Sequence, residues 1–165
     1  MKIRNIVVGL VLLAAVGWGA YAGYQFYVER HRLCDLCGRP VHSAMGASVF
    51  LKNKSRVDTC CPRCALHYEI QKPAQVARVM VTDNTGGEKI PATEAYFVEG
   101  SDAETCQHDP DSAPREPGVE YDRKFDRCLP NLVAFRSEAD AREFQKRLGG
   151  RVLQYVQAVQ SVRSH

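Results

Sequence analysis

The longest apolar run of the chain lies near its N-terminus. From Asn5 to Val28 no side chain carries a charge, and a run of this length can cross a bilayer as one helix. Four aromatic residues lie toward its C-terminal half, where an aromatic belt would meet the membrane surface: Trp18, Tyr21, Tyr24 and Tyr27. The pattern predicts a membrane anchor in residues 1–30, held in an inner membrane through residues 5–28.

The same run also permits a cleaved signal peptide. Ala20 and Ala22 form a small-x-small cleavage pattern ahead of Gly23, although apolar and aromatic residues continue beyond that point, which favours an uncleaved anchor. A short basic N-terminus with Lys2 and Arg4 before a single span places the N-terminus inside and the remainder outside. Both interpretations predict an exported, periplasmic body.

After the anchor, short segments alternate between apolar and polar residues, as half-buried strands do. The predicted strands are ASVFLKN (47–53), SRVDTC (55–60), VARVMVTD (76–83), ATEAYFVEG (92–100), LVAFRS (132–137) and RVLQYV (151–156). Asn53, Lys54 and Ser55 are predicted to connect the first two strands as a hairpin turn.

Two helices are predicted among these strands. The first runs from Pro62 to Gln71, with a proline in its first turn, where a missing N–H does no harm, and with Pro73 beyond its end. The second is capped by Ser137, carries Ala141, Phe144 and Leu148 on one face, and stops at Gly149. Strand, strand, helix, strand thus occurs twice. We predict an α+β fold of two small ββαβ lobes preceded by one transmembrane helix.

Composition supports one soluble domain in residues 31–165. The chain has 165 residues, 45% of them apolar and 25% charged, which is ordinary for a folded protein. The net charge of +3 is small and lies largely beside the apolar run, so nucleic-acid binding is not expected. A polar run from Ser101 to Arg127 without strong periodicity predicts a mobile loop or a functional flap.

Five of the seven cysteines fall in two short segments that predict a metal site. Cys34 and Cys37 form C-x-x-C followed by Gly38, and Cys61 and Cys64 form C-P-x-C at the start of the first predicted body helix. Two residues between cysteines let both sulfurs face one ion, and two such pairs make the tetrahedral thiolate cage that zinc prefers. The helix dipole also favours thiolates at the second pair.

Two other interpretations of these cysteines remain open. An exported protein can oxidise its thiols to structural disulfides, although seven is an odd number and C-x-x-C pairs close small strained loops. Cys106, near the start of the polar run, and Cys128, directly after its end, are better disulfide candidates. A thiol oxidoreductase is the second alternative, because C-P-x-C at a helix start resembles a glutaredoxin-type site. That alternative leaves the first pair unexplained, and the βαβ order of such a fold is absent.

Cys60 is a further thiol that a four-thiolate zinc site does not need. Copper(I) is softer and accepts mixed sets of thiolate, thioether and imidazole ligands, so additional sulfur suits it better. His67 lies three residues after Cys64 on the same helical face, and is either an additional ligand or a partly buried helix residue; the same choice applies to His42 and Met45. No nucleophile, base and orienting carboxylate can be assigned together, so no enzymatic activity is predicted.

Five segments, in order from Cys34 to Tyr155, carry a wider resemblance: CDLCGRPV, CCPRCALHY, VARVMVTD, IPATEAYFVEGS and LVAFRSEADAREFQKRLGGRVLQY. Together they resemble the NosL family of nitrous oxide reductase accessory proteins. The resemblance implies a membrane-attached periplasmic copper(I) protein, built from two small ββαβ units, that helps to supply copper to nitrous oxide reductase.

The resemblance also indicates where this chain departs from the family. Cys37 and Gly38 match the family's Cys-Gly-Met, but Arg39 stands where methionine is usual. The family usually has Pro-Met-Gly shortly before the V-A-F strand, and counting back from Phe135 places Cys128 at that methionine. A soft thiolate would thus replace a soft thioether. The lipid-bearing cysteine usual in the family is missing, and the N-terminal helix would provide the tether.

These observations lead to three hypotheses. The first is a membrane-anchored periplasmic Cu(I) chaperone that serves a copper enzyme or another copper-handling protein. Its predicted metal ligands are Cys34, Cys37, Cys61, Cys64 and Cys128, with Cys60 and His67 as further candidates. The second is a structural Zn(II) module that resembles a zinc ribbon, and the third is a thiol-disulfide oxidoreductase.

Overall fold

The computed structural model describes residues 2–30, 32–41, 44–103 and 128–164. The chain divides into two compact units, Met1–Arg32 and Leu33–His165. In the first unit, helix α1 (Lys2–Arg30) contains the segment Val7–Val28, whose 22 residues have a mean hydropathy of 1.7. Among the described residues this is the one helix long and apolar enough to cross a membrane, as a membrane anchor or a signal sequence would be.

The first lobe of the body is a four-stranded antiparallel sheet with one helix. Its elements are β1 (Ala47–Leu51), β2 (Arg56–Thr59), α2 (Pro62–Gln71), β3 (Val76–Thr82) and β4 (Lys89–Pro91). The strands lie in the order β2-β1-β3-β4, and Val49 is paired with Val57 on one side and with Val79 on the other. The predicted hairpin turn is present, with the amide of Leu51 donating to the carbonyl of Ser55 (2.9 Å).

The second lobe repeats this order around a three-stranded antiparallel sheet. Its elements are β5 (Tyr96–Glu99), β6 (Leu132–Phe135), α3 (Glu138–Leu148), β7 (Arg151–Gln154) and α4 (Tyr155–Ser164), with strand order β6-β5-β7. Ser137 caps α3 by accepting a hydrogen bond from the amide of Asp140 (3.1 Å), and Gly149 ends it at a φ of 69°. The predicted α+β class, with strand, strand, helix, strand occurring twice, is confirmed.

One apolar core joins the two lobes. It contains residues of the first sheet, residues of α2 and α4, and the alternate positions Phe97, Leu132 and Ala134 of the second sheet. The intervening positions, Val98, Val133 and Phe135, pack against α3 in a separate cluster. Because successive strand side chains point to opposite faces, both faces of the second sheet are covered, and all four residues of β6 are buried.

Three elements differ from the sequence-based prediction. Residues Ala92–Glu94, predicted as the start of the strand ATEAYFVEG, form a 3-10 helix ahead of β5. Strand β4 was not predicted, because its three residues are too short for an alternating pattern to be recognised. The predicted strand RVLQYV stops at Gln154, and α4 begins at the next residue. Four apolar residues in the C-terminal segment recur at helical spacing and pack on the shared core: Tyr155, Ala158, Val159 and Val162. This period of 3.6 residues outweighs the short apolar run.

A buried ion pair ties α2 to the second lobe. Arg63 of α2 has no exposed side-chain surface, and its Nη1 donates to Glu99 Oε1 of β5 (3.1 Å). Glu99 also accepts hydrogen bonds from Arg151 of β7 (2.7 Å) and from Ser161 of α4 (2.6 Å). Burial raises the pKa of Glu99, but these hydrogen bonds and the two arginine charges outweigh burial and leave the pKa below its ordinary value.

We expect Glu99→Gln to lower the free energy of unfolding by about 3 kcal/mol, because it leaves the buried Arg63 charge without a counter-charge. Urea unfolding followed by circular dichroism measures the change. Glu88→Gln is the matched control, since Glu88 pairs with Arg136 at an exposed position, and its removal is expected to cost less than about 1 kcal/mol. Equal stability of the two variants would contradict the prediction.

The same pair predicts a pH dependence. A carboxyl whose pKa is lowered by folding stabilises the protein above its unfolded pKa, about 4.3, and loses that contribution as pH falls through the lower folded value. The stability difference between the wild-type chain and Glu99→Gln should therefore be full at pH 7 and shrink as pH falls below about 4.

Candidate metal centre

Cys34 and Cys37 lie on a tight turn that precedes β1. Leu33 and Pro40 form an isolated bridge across its base, and the amide of Cys34 donates to the carbonyl of Arg39 (2.7 Å). The turn needs Gly38, whose φ of 73° lies in the left-handed region that side chains disfavour. The glycine after C-x-x-C thus allows the backbone to turn back under its two sulfurs.

Hydrogen bonds fix this turn beside β2. The amide of Asp35 donates to the carbonyl of Asp58 (3.1 Å), and the amide of Asp58 donates to the carboxylate of Asp35 (3.0 Å). Cys60 and Cys61 follow directly after β2. The link to Asp58 therefore brings the first cysteine pair next to the second cysteine-rich segment.

The start of α2 presents three more sulfurs. Cys61 is the residue before the helix, has extended backbone angles (φ −154°, ψ 163°) and makes no side-chain capping bond, while Pro62 opens the first turn. Thr59 holds the connection by donating its hydroxyl hydrogen to the carbonyls of Ala47 (3.2 Å) and Cys61 (3.3 Å). Cys64 lies in the first helical turn, where peptide dipoles favour negative charge.

Cys128, four residues before β6, brings a sulfur from the second lobe. Its Sγ lies 3.6 Å from the sulfurs of both Cys60 and Cys64, and 3.8 Å from that of Cys37. Cys128 is fully buried. A side chain 64 residues distant in the sequence from Cys64 thus lies in direct contact with it.

Six sulfurs therefore form one cluster, and none of these described cysteines is joined to another as a disulfide. The sulfurs of Cys37 and Cys60 lie 3.4 Å apart, and that of Cys60 also lies 3.7 Å from those of Cys61 and Cys64. A disulfide needs about 2.05 Å between sulfurs, whereas a tetrahedral ion with metal–sulfur bonds of about 2.3 Å has sulfur–sulfur edges of about 3.8 Å. The spacing suits metal ligation.

The cluster contains two overlapping groups of four sulfurs, and within each group all sulfurs lie within 4.8 Å of one another. The first group is Cys34, Cys37, Cys60 and Cys64, and the second is Cys60, Cys61, Cys64 and Cys128. Both groups consist of soft donors alone, which select ions such as copper(I) and zinc over magnesium or calcium.

Contacts between the sulfurs lower the pKa of some cysteines of the cluster and raise the pKa of another. Contact with Cys128 raises the pKa of Cys37, but hydrogen bonds from Cys34 and Cys60 outweigh it, so that the pKa of Cys37 is about 4. Hydrogen bonds from Cys37 and Cys60 lower the pKa of Cys128 to about 6. The pKa of Cys64 is raised, first by its contact with Cys128 and in addition by burial.

Arg63 places a positive charge beside the cluster. Its Nε and Nη2 are buried and have no hydrogen-bond partner among the described residues. Burial lowers the pKa of Arg63, and the nearby Glu99, Cys61 and Cys128 act in the opposite direction. Because a guanidinium stays protonated in proteins, Arg63 can offset the charge of thiolates and donate to them.

The structure brings together all five predicted ligands, and Cys60 lies among them with four sulfurs within 3.7 Å. The predicted additional ligand His67 is half-buried on α2 and belongs to neither group of sulfurs. Met45 packs instead near the apolar cluster under α3. Cys106, predicted as a disulfide partner of Cys128, and His42 lie outside the described residues.

Arg63 is the functional residue that the sequence analysis missed. Its position between Cys61 and Cys64 in a first helical turn was visible, but a charged residue at such a position is usually exposed. Its burial follows from the pairing with Glu99, which sequence spacing does not reveal.

In amino-acid sequence, the chain is distantly similar to a known protein. No protein-family model matches the chain. Over 134 residues it is 24% identical to the HTH-type transcriptional repressor CutR of Bacillus subtilis (strain 168), a match that covers 81% of this chain and 60% of that protein. The chain thus spans less than two thirds of that relative's length.

Among solved structures, the fold is similar to that of the copper chaperone NosL from Shewanella denitrificans. The TM-score is 0.58 at 18% sequence identity, and the match covers 78% of this chain and 90% of that one. The predicted resemblance to NosL is confirmed as a similarity of fold. A NosL-like fold with a buried cysteine cluster indicates a metal-binding protein.

Among the six described cysteines, we expect Cys37 to be alkylated first by iodoacetamide at pH 7 in the metal-free chain. It is the one half-buried member of the six described cysteines, the other five being buried, and its pKa of about 4 keeps it as a reactive thiolate. Peptide mass spectrometry over a time course measures the order, and bound metal should protect Cys37. Earlier labelling of Cys64, which is fully buried, would contradict this prediction.

We expect the double variant Arg63→Met, Glu99→Gln to stay folded but to bind a soft metal ion about tenfold more weakly, a change of about 1.4 kcal/mol. Removing both partners avoids an unpaired buried charge, so the loss reports on the positive charge beside the sulfurs. Competition titrations with Cu(I) and with Zn(II) measure it.

Arg151→Met is the control for this variant, since Arg151 also pairs with Glu99 but is largely exposed. Its metal affinity should equal that of the wild-type chain. If the double variant binds as tightly as this control, Arg63 does not act on the cluster.

Proposed function

We propose that this chain is a membrane-attached, extracytoplasmic metallochaperone that binds copper(I) in its cysteine cluster and passes it to a copper enzyme or another copper-handling protein. The observation that carries the proposal is the cluster itself, in which six thiol groups from three segments meet and, within the described part of the chain, neither group includes an oxygen or nitrogen ligand. Such a soft, all-sulfur site suits copper(I). The similarity of fold to a copper chaperone supports the same conclusion.

The arrangement of the sulfurs supports transfer of the ion as well as binding. A chaperone must release its cargo to a partner, and this requires one ligand that an incoming sulfur can replace. Cys37 is the half-buried ligand of the cluster, whereas Cys60, Cys61 and Cys64 are at most 2% exposed. Ligand exchange would therefore begin at Cys37, on the turn that precedes β1.

A structural zinc site is the competing function, and one observation favours it. Each group of four sulfurs is compact enough for a tetrahedral Zn(II) ion, which commonly takes four cysteines in closed structural sites. A closed structural zinc site requires neither the two additional sulfurs of the cluster nor a half-buried ligand such as Cys37. Copper(I) accounts for more of the sulfurs in the cluster than zinc does. The proposed function is binding and transfer of the ion, without catalysis.

The test is a Cu(I) titration of the full chain, purified in detergent without oxygen, against a chromophoric Cu(I) chelator. We expect the variant Cys34→Ser, Cys37→Ser, Cys61→Ser, Cys64→Ser to bind at least about 100-fold more weakly, a loss of about 2.7 kcal/mol. His67→Gln is the control and should bind like the wild-type chain, since His67 belongs to neither group. Equal affinities of the wild-type and fourfold variants would refute the proposal.

Zinc is distinguished by the same preparation. If the chain retains one Zn(II) that excess Cu(I) does not displace, and if chelation of that zinc unfolds the domain, the cluster is a structural zinc site. A copper chaperone should instead remain folded without metal and exchange any Zn(II) for Cu(I).

A further inference from the structure

The cysteine cluster offers more sulfur than one metal ion can use. Even a tetrahedral ion takes four ligands, and six described sulfurs lie in the cluster. They do not separate into one site and two remote thiols, because each sulfur belongs to a group whose members lie within 4.8 Å of one another. The arrangement of the sulfurs should therefore show why the cluster contains more sulfurs than one ion needs.

The two groups of sulfurs overlap along one edge. Cys60 and Cys64 belong to both groups, and their sulfurs lie 3.7 Å apart. Cys34 and Cys37 belong to the first group alone, and Cys61 and Cys128 to the second. Each group could surround one ion, and the two ions would then share an edge.

Thiolates are suited to occupy a shared edge. A sulfur bonded to one metal ion keeps lone pairs that can bind a second, and soft copper(I) accepts such bridging thiolates. Cys60 is the most central sulfur, with those of Cys37, Cys61, Cys64 and Cys128 all within 3.7 Å. The contact of 3.8 Å between Cys37 and Cys128 links the outer ligands of the two groups.

The charge of such a cluster has a counterpart in the structure. Thiolates that outnumber the copper(I) ions leave a net negative charge in a buried site, which is costly without a compensating cation. Arg63 can provide that charge, since its buried Nε and Nη2 have no hydrogen-bond partner among residues 2–30, 32–41, 44–103 and 128–164.

We propose that the cluster binds two copper(I) ions, with Cys60 and Cys64 as bridging ligands. Cys34 and Cys37 complete the coordination of one ion, and Cys61 and Cys128 that of the other. The inference rests on the proposed function, because it assumes that copper(I) is the ion bound, and it adds that the cargo is carried as a pair.

The first test uses the wild-type full chain in detergent, without oxygen. Titration with Cu(I) against a chromophoric chelator should give two tightly bound equivalents, and native mass spectrometry should show the same mass increase. X-ray absorption at the copper edge should show sulfur neighbours and, in addition, a second copper atom at short distance. This measurement needs no variant, so it stays valid if a substitution disturbs the fold.

Two double variants, each lacking two sulfurs of the cluster, provide the matched comparison. Cys61→Ser, Cys128→Ser keeps the first group intact and should bind one copper(I), a twofold loss of capacity, without the copper–copper signal. Cys60→Ser, Cys64→Ser removes the shared edge and should lose the copper–copper signal and weaken binding of every ion. The two variants therefore differ in affinity although they lack the same number of sulfurs.

The outcomes separate this inference from the proposed function. One equivalent of copper(I) in the wild-type chain, with no copper–copper signal and no change in Cys61→Ser, Cys128→Ser, overturns the two-ion cluster but leaves a copper(I)-binding protein. Absence of chelator-resistant copper binding overturns both. Two equivalents with a copper neighbour support both.

Discussion

The buried pair of Arg63 and Glu99 is the interaction on which the site depends. Arg63 lies in the first turn of α2, between Cys61 and Cys64, and its counter-charge belongs to β5 of the other lobe. The pair therefore fixes the cysteine-rich end of α2 against the second sheet. Cys128 precedes β6, which pairs with β5. The contact between its sulfur and that of Cys64 requires the two lobes to be held in this way.

Burial determines how the cluster can be reached. In the extracytoplasmic location proposed above, oxidants convert thiols to disulfides, and the sulfurs of this cluster lie close enough for small movements to bring pairs together. Five of the six described cysteines are buried, and Cys37 is half-buried. Among the described cysteines, Cys37 is therefore the sulfur most open to an approaching ion, partner ligand or oxidant. Its lowered pKa makes the same sulfur a ready ligand for an arriving ion.

Local chemistry made much of the fold and part of the site predictable. Alternation within β1, β3 and β5, the cap at Ser137 and the stop at Gly149 each depend on a few neighbouring residues, and the structure has these features where the sequence indicates them. C-x-x-C spacing likewise brings Cys34 and Cys37 to one turn. The approach of Cys128 depends on the packing of two lobes, so spacing alone favoured a disulfide with Cys106, and a family resemblance was needed to suggest a ligand.

Two of the positions at which this chain departs from the NosL pattern, Arg39 and Cys128, would carry opposite charges if Cys128 binds a metal ion as a thiolate. The resemblance places methionines, which are neutral, at the positions of Arg39 and Cys128. Cys128 is fully buried, and as a metal ligand it would add a negative charge to the site. Arg39 is also buried, with 2% of its surface exposed, and follows the Cys37–Gly38 turn with a positive charge. A site with two methionines and a site with Arg39 and a Cys128 thiolate would therefore carry the same formal charge from these two positions.

Thiolates at Cys60, Cys61 and Cys64 would add negative charge that the Arg39 charge does not offset. The buried positive charge of Arg63 lies beside these cysteines. An all-sulfur copper(I) site of the kind proposed above would thus depend on the arginines that accompany the added cysteines as well as on the cysteines themselves.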